Sequence, residues 1–244
     1  MRAPRQVAQP RSYTGGSRKA LGPRPLIPSD MRTAARCRSG GIMSRAVYIG
    51  AWVLVIAFCF SLLACSPVDP QRYSVKVHIG GGHGSGTHIG SGLILTAAHV
   101  VDGQASIEIE TQDGKKYPAK VLWIAKAHDV AVIQYEGKPL PAAQLSCGVL
   151  RQGDAIQAFG NPGNITFAKF NGFISTAASE RAVWKVAHVM DITGMPGISG
   201  GGVFNMAGKL VGIFVGGYST PYAPVSGITL MVPASEICRM MGRA

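Results

Sequence analysis

Charge is scarce and uneven in this sequence. Only 15% of its 244 residues are Asp, Glu, Lys or Arg, and acids number 12 against 24 Lys and Arg. Ten of the basic residues and a single acid, Asp30, fall within residues 1–45. The remaining 14 basic and 11 acidic residues leave a net charge of +3 on the rest. A nucleic-acid-binding domain needs a basic face on a folded body. The body offers none, so that reading rests on residues 1–45 alone. There is no Cys-x-x-Cys pair and no metal-ligand spacing, which argues against a metal site. Gly80 to His88 holds two histidines five apart. It has no carboxylate or cysteine, and its glycines read as a loop too loose to preorganise ligands. No internal repeat is evident. Helical periodicity is confined to the end, Pro233 to Met241.

What is there begins with an apolar run. Residues 1–42 are rich in Arg, Pro, Ser and Gly, cannot bury a core, and read as a disordered leader. Met43-Ser44-Arg45 followed by apolar Ala46 to Ala64 has the layout of a secretory signal. Met43 is therefore read as the natural start, with 1–42 upstream of it. The run closes on Leu62-Leu63-Ala64-Cys65, which resembles the bacterial lipoprotein box. Cys65 is then the lipidated residue. The alternative is an uncleaved anchor, since about nineteen apolar residues approach the length that spans a bilayer. Either way the segment 43–65 places the rest in the cell envelope, outside the cytoplasm, with 66–73 as an extended tether.

From residue 74 the pattern is one of short strands. Ser74 to Ile79 and Ala105 to Glu110 alternate apolar and polar residues, and Gly92 to Thr96 and Val130 to Ile133 are apolar runs. Further short runs follow Pro139 to Val149, separated by Gly-rich turns. Such a series indicates an all-β sandwich or barrel.

Gly197-Ile198-Ser199-Gly200-Gly201 sets a serine on a glycine-rich turn. Nucleophilic serine chemistry needs an exposed hydroxyl and backbone N–H groups aimed at the developing oxyanion. It also needs a base, and a carboxylate to orient that base. His99, after an apolar strand, and Asp129, before one, are the candidates. The order His, Asp, Ser excludes the nucleophile-elbow hydrolases, which run Ser, Asp, His.

Thr96-Ala97-Ala98-His99, His128-Asp129-Val130-Ala131-Val132 and Gly197-Ile198-Ser199-Gly200-Gly201 together resemble the three motifs of chymotrypsin-like serine proteases. Phe159-Gly160-Asn161-Pro162-Gly163, and Asp191 eight residues before Ser199, are similar to the bacterial high-temperature-requirement subgroup. The resemblance covers about residues 74–240. It implies two six-stranded antiparallel β-barrels, about 74–140 and 148–232, and a C-terminal helix over 233–242, with no PDZ domain after it. It implies Ser199 as nucleophile, His99 as general base and Asp129 as its orienting acid, with the N–H groups of Gly197 and Ser199 forming the oxyanion hole and no cofactor. The substrates implied are polypeptides.

The departures from the family pattern matter. Ile198 stands where activation by a freed N-terminus needs an acid and where the bacterial subgroup has Asn. Gly202 replaces a usual proline. By family alignment, Thr193, Phe214, Val215, Gly216, Gly217 and Gly227 line the primary pocket. With Thr193 rather than a carboxylate six residues before Ser199, and Phe214 rather than His, a small or medium apolar residue is expected before the cleaved bond. Cys147 and Cys238 fall in the inter-barrel connection and the final helix. A disulfide between them is open, but two free buried cysteines is the reading adopted. The rival to a peptidase is a catalytically weak binding or chaperone-like protein that keeps the fold.

Overall fold

The computed structural model describes residues 69–181, 184–219 and 224–242. The leader, the signal-type segment with Cys65 and the start of the tether lie outside the described residues. The end of the expected tether is folded rather than extended. Asp69 caps a 3-10 turn over Pro70–Tyr73, because Tyr73 has an apolar place to go: its ring lies 5.9 Å from that of Phe204.

Thirteen strands follow among the described residues. The first barrel comprises β1 (Ser74–Ile79), β2 (Gly82–Gly90), β3 (Leu93–Thr96), β4 (Ile107–Glu110), β5 (Lys116–Ala125) and β6 (Val130–Tyr135). It closes in the order β1-β2-β3-β6-β5-β4. The second comprises β7 (Ala155–Gly160), β8 (Ala168–Ile174), β10 (Trp184–Asp191), β11 (Gly202–Asn205), β12 (Leu210–Ser219) and β13 (Pro224–Pro233). It runs β13-β12-β11-β7-β8-β10, and pairing of β10 with β13 closes the ring. The short β9 (Ser179–Arg181) hangs on β10. All named pairs are antiparallel, and closure leaves no barrel edge unpaired. A single turn of helix, α1 (Ala98–Val101), follows β3, and α2 (Ala234–Met240) ends the described chain. The all-β, two-barrel fold with a short C-terminal helix is thus the one expected. Among the described residues no helix is long and apolar enough to cross a membrane.

Alternating positions fill each barrel. Val75, Val77, Ile94, Ile109 and Ile133 are buried in the first; Ile156, Ile174, Met190, Val203 and Met231 in the second. Fully burying a side chain of this size contributes about 1.5–3 kcal/mol. The first core continues through Phe204, Leu210 and Val232 to Ile237 of α2, so barrel contact and helix share one apolar cluster.

Two further expectations are corrected. The glycine run after β1 is not a loose loop: only Gly80 and Gly81 turn, and Gly82 onward is strand β2, buried from Gly84 to His88. Its glycines serve close packing. A Cβ on Gly84 would lie 2.5 Å from Val100, and one on Gly86 2.5 Å from Ile94. His83 and His88, an odd number of residues apart on one strand, do not converge. Among the described residues no group of His, Cys, Asp and Glu could hold a metal. Second, Cys147 and Cys238 are not free but joined in a disulfide, with Cα atoms 5.9 Å apart across 91 residues of sequence. Packing of α2 against the second barrel brings Cys238 to the connection that carries Cys147.

Candidate active site

Asp129 caps the short 3-10 turn Lys126–His128 in the left-handed region, with φ 55°, at the head of β6. This conformation turns both its carbonyl and its carboxylate toward α1. The carbonyl accepts from the Ala98 N–H at 3.2 Å. Oδ1 accepts from the His99 N–H at 2.9 Å, and Oδ2 pairs with His99 Nδ1 at 2.8 Å. Nδ1 is therefore the protonated nitrogen in the neutral ring, and Nε2 is left able to accept a proton. The Asp129 side chain is 12% exposed and that of His99 50%. The carboxylate is sheltered and the imidazole is accessible.

Ser199 lies across the same cleft, a cavity of about 730 Å³ lined also by His99 and Asp129. It sits between barrels, on the turn that leads into β11. The turn is tied down almost everywhere. The N–H groups of Ile198, Gly200 and Gly201 donate to the carbonyls of Met195, Phe214 and Ile198, and the Ser199 carbonyl accepts from Ser85 at 2.8 Å. The N–H groups of Gly197 and Ser199 are different: among the described residues they donate to nothing. Gly197 has φ +99°, and a Cβ there would stand 2.5 Å from the Asn161 carbonyl, so only glycine fits. The turn thus offers two uncommitted donors on either side of Ile198. No hydrogen bond joins Ser199 to His99 among the described residues; such contacts often tighten only with substrate in place.

Ile198 is 1% exposed and packs inside the second barrel. An acid there would be buried without a partner. Of the expected pocket residues, Phe214, Val215, Gly216 and Gly217 line the cleft. Thr193 and Gly227 do not. Thr193 faces solvent as the chain turns, and the lining positions are Gly194 and Thr229. Thr229, two residues beyond Gly227 on β13, anchors its hydroxyl on the Ile192 carbonyl at 3.0 Å. The Phe214 ring and the Thr229 methyl fill the space under Gly194, at 2.6 and 2.8 Å from where its Cβ would be.

Three further side chains support the site, and of these only Asn161 falls in a motif quoted above. Ser85 of β2 donates its hydroxyl to the Gly197 carbonyl at 2.7 Å and accepts from the Asn161 N–H at 2.8 Å. Asn161 is fully buried, and its side chain bonds the Val75 carbonyl and the Phe167 N–H at 3.2 and 2.9 Å. Trp184, at the start of β10, donates its indole N–H to Asp129 Oδ2 at 3.0 Å. The only sequence signal for Ser85 is its place between two glycines; for Trp184 there is none.

Residues 84–213 match the family model of the trypsin-like peptidase domain. The chain is 37% identical over 127 residues to a protein of Pseudomonas savastanoi pv. phaseolicola named probable periplasmic serine endoprotease DegP-like, covering 50% of this chain and 26% of that one. It is 32% identical over 170 residues to the periplasmic serine endoprotease DegP of Salmonella typhimurium, covering 61% and 35% respectively. The chain therefore spans well under half of these relatives. Among solved structures, the HtrA-type protease AlgW with a tripeptide superposes with a TM-score of 0.65 at 26% identity, covering 70% of this chain and 60% of that one.

Proposed function

The chain belongs to the trypsin-like peptidase domain family, and from that premise we propose that it is a serine endopeptidase. Ser199 Oγ attacks a peptide carbonyl while His99 Nε2 takes its proton. The new C–O bond makes a tetrahedral oxyanion, held by the N–H groups of Gly197 and Ser199. His99 then returns the proton to the leaving amine as the C–N bond breaks. Water, activated by the same imidazole, hydrolyses the acyl-enzyme. Asp129 keeps the imidazole in the Nδ1–H tautomer and stabilises its protonated form. Each oxyanion donor is typically worth about 2.7–4 kcal/mol in the transition state.

The observation that carries this reading is the pairing of His99 with a sheltered carboxylate, facing across one cleft a serine flanked by two uncommitted N–H groups. A fluorophosphonate probe tests it: labelling of the wild-type protein, abolished in Ser199→Ala with the fold intact, is the expected result. A folded wild-type protein that takes no label would reduce it to a protease-fold binding or chaperone-like protein.

The substrate is a polypeptide with a small or medium apolar residue before the cleaved bond. The Phe214 ring and Thr229 methyl under Gly194 support that choice, because they leave little depth below the cleft. The location is the cell envelope, in line with the periplasmic relatives and with a disulfide, which persists in oxidising compartments. Anchoring through a lipidated Cys65, or through the uncleaved 43–65 segment, completes the proposal. Mass spectrometry of the native N-terminus distinguishes the two.

A further inference from the structure

We propose that Trp184 is a positioning residue of the catalytic triad, its indole N–H holding the Asp129 carboxylate in the orientation that receives His99. The kinetic consequence rests on the peptidase reading; the geometry does not depend on it. Asp129 Oδ2 has two donors, His99 Nδ1 at 2.8 Å and Trp184 Nε1 at 3.0 Å. The His99 backbone N–H holds Oδ1. A carboxylate with both oxygens bonded cannot rotate without breaking a charge-assisted hydrogen bond. Two of these bonds come from the same residue on α1. The third comes from the other barrel, 55 residues along the chain.

The donor suits the task. An indole N–H has no acceptor capacity and does not titrate, so it cannot change role when His99 gains a proton. The ring is itself held in place. Its Cζ2 and Cη2 atoms lie 3.0 Å from where a Cβ on Gly216 would stand, so any side chain at Gly216 would press on it. Gly216 lines the cleft beside Phe214 and Val215. Trp184 thereby spans from the cleft-lining strand β12 to the carboxylate of the first barrel.

Trp184→Phe keeps a ring and deletes the donor. Removing one donor from Oδ2 leaves more of its charge to His99, which favours the imidazolium. The acid limb of the fluorophosphonate acylation rate should therefore move to higher pH. The rate at neutral pH should fall about tenfold, as expected for loss of one hydrogen bond to a charged group. KM for a peptide should change much less than kcat. Trp123→Phe, which removes an indole from β5 without touching Asp129, should move neither rate nor limb. A Trp184→Phe protein with wild-type rate and wild-type acid limb overturns the proposal. If that variant does not fold, the wild-type protein decides. The Trp184 indole proton resonance must shift as His99 titrates, because both donate to one oxygen; an indifferent resonance overturns the proposal. A wild-type protein that takes no probe would defeat the peptidase reading, while the resonance would still decide the role of Trp184.

Discussion

Ser85 donates its hydroxyl to the carbonyl of Gly197 at 2.7 Å, joining residues 112 apart in sequence and seated on different barrels. The Gly197 carbonyl and the N–H of Ile198 share one peptide plane, so this bond helps set the turn on which the Gly197 and Ser199 donors stand. Ser85→Ala leaves that carbonyl and the Asn161 N–H without their partner. Its expected cost is about 1–3 kcal/mol in stability. Catalytic turnover should fall about tenfold or more, for a loss of similar size in the transition state. Peptide hydrolysis kinetics beside thermal unfolding of the same sample check both. Unchanged turnover would separate Ser85 from the donor geometry.

The Phe214 ring, 2% exposed, fills the space beneath Gly194. Phe214→Ala should open that space and move cleavage toward larger apolar residues before the scissile bond. The fold should lose about 3–5 kcal/mol, as for other buried Phe truncations. A peptide library compared between the two proteins reads the preference directly.

His88 is 3% exposed, with Nδ1–H donating to the Pro141 carbonyl at 2.9 Å and Nε2 buried without a partner among the described residues. Burial holds its pKa below the ordinary 6.5, and the Pro141 bond opposes this only in part. The unfolded chain protonates near 6.5 while the folded protein resists. Stability is thus complete above that value and is lost as the pH falls below it, down to the lower folded pKa. The melting temperature should drop by a few degrees between pH 7.5 and pH 5. That part of the drop should vanish in His88→Asn, whose side chain does not titrate.

The Cys147–Cys238 disulfide closes 91 residues. Loop-closure entropy assigns it about 4–5 kcal/mol. Reduction, or Cys147→Ser, should lower the melting temperature by on the order of 10 °C. Cys238 is buried on α2 beside Ile237, so amide exchange in α2 should rise first. Equal melting of oxidised and reduced protein would contradict this entropic account.

Local pattern decided much of this molecule. The alternation in Ser74–Ile79 and the apolar run at Val130 name their strands because side chains on a strand change face at every residue. Thr96-Ala97-Ala98-His99, His128-Asp129 and Gly197-Ile198-Ser199 mark three side chains that the fold brings to one cleft, because each motif carries its own backbone turn. Closure of the barrels decided the rest. Gly84 and Gly86 look like a flexible linker until Val100 and Ile94 are packed against them. Cys147 and Cys238 look like unrelated buried thiols until α2 docks. Gly194 and Thr229 line the cleft where Thr193 and Gly227 were expected, and the bond of the Thr229 hydroxyl to the Ile192 carbonyl ties β13 to the segment that carries Gly194. Ser85, Asn161 and Trp184 join the site through hydrogen bonds spanning 55 to 112 residues. No periodicity in one segment encodes a partner supplied by the other barrel.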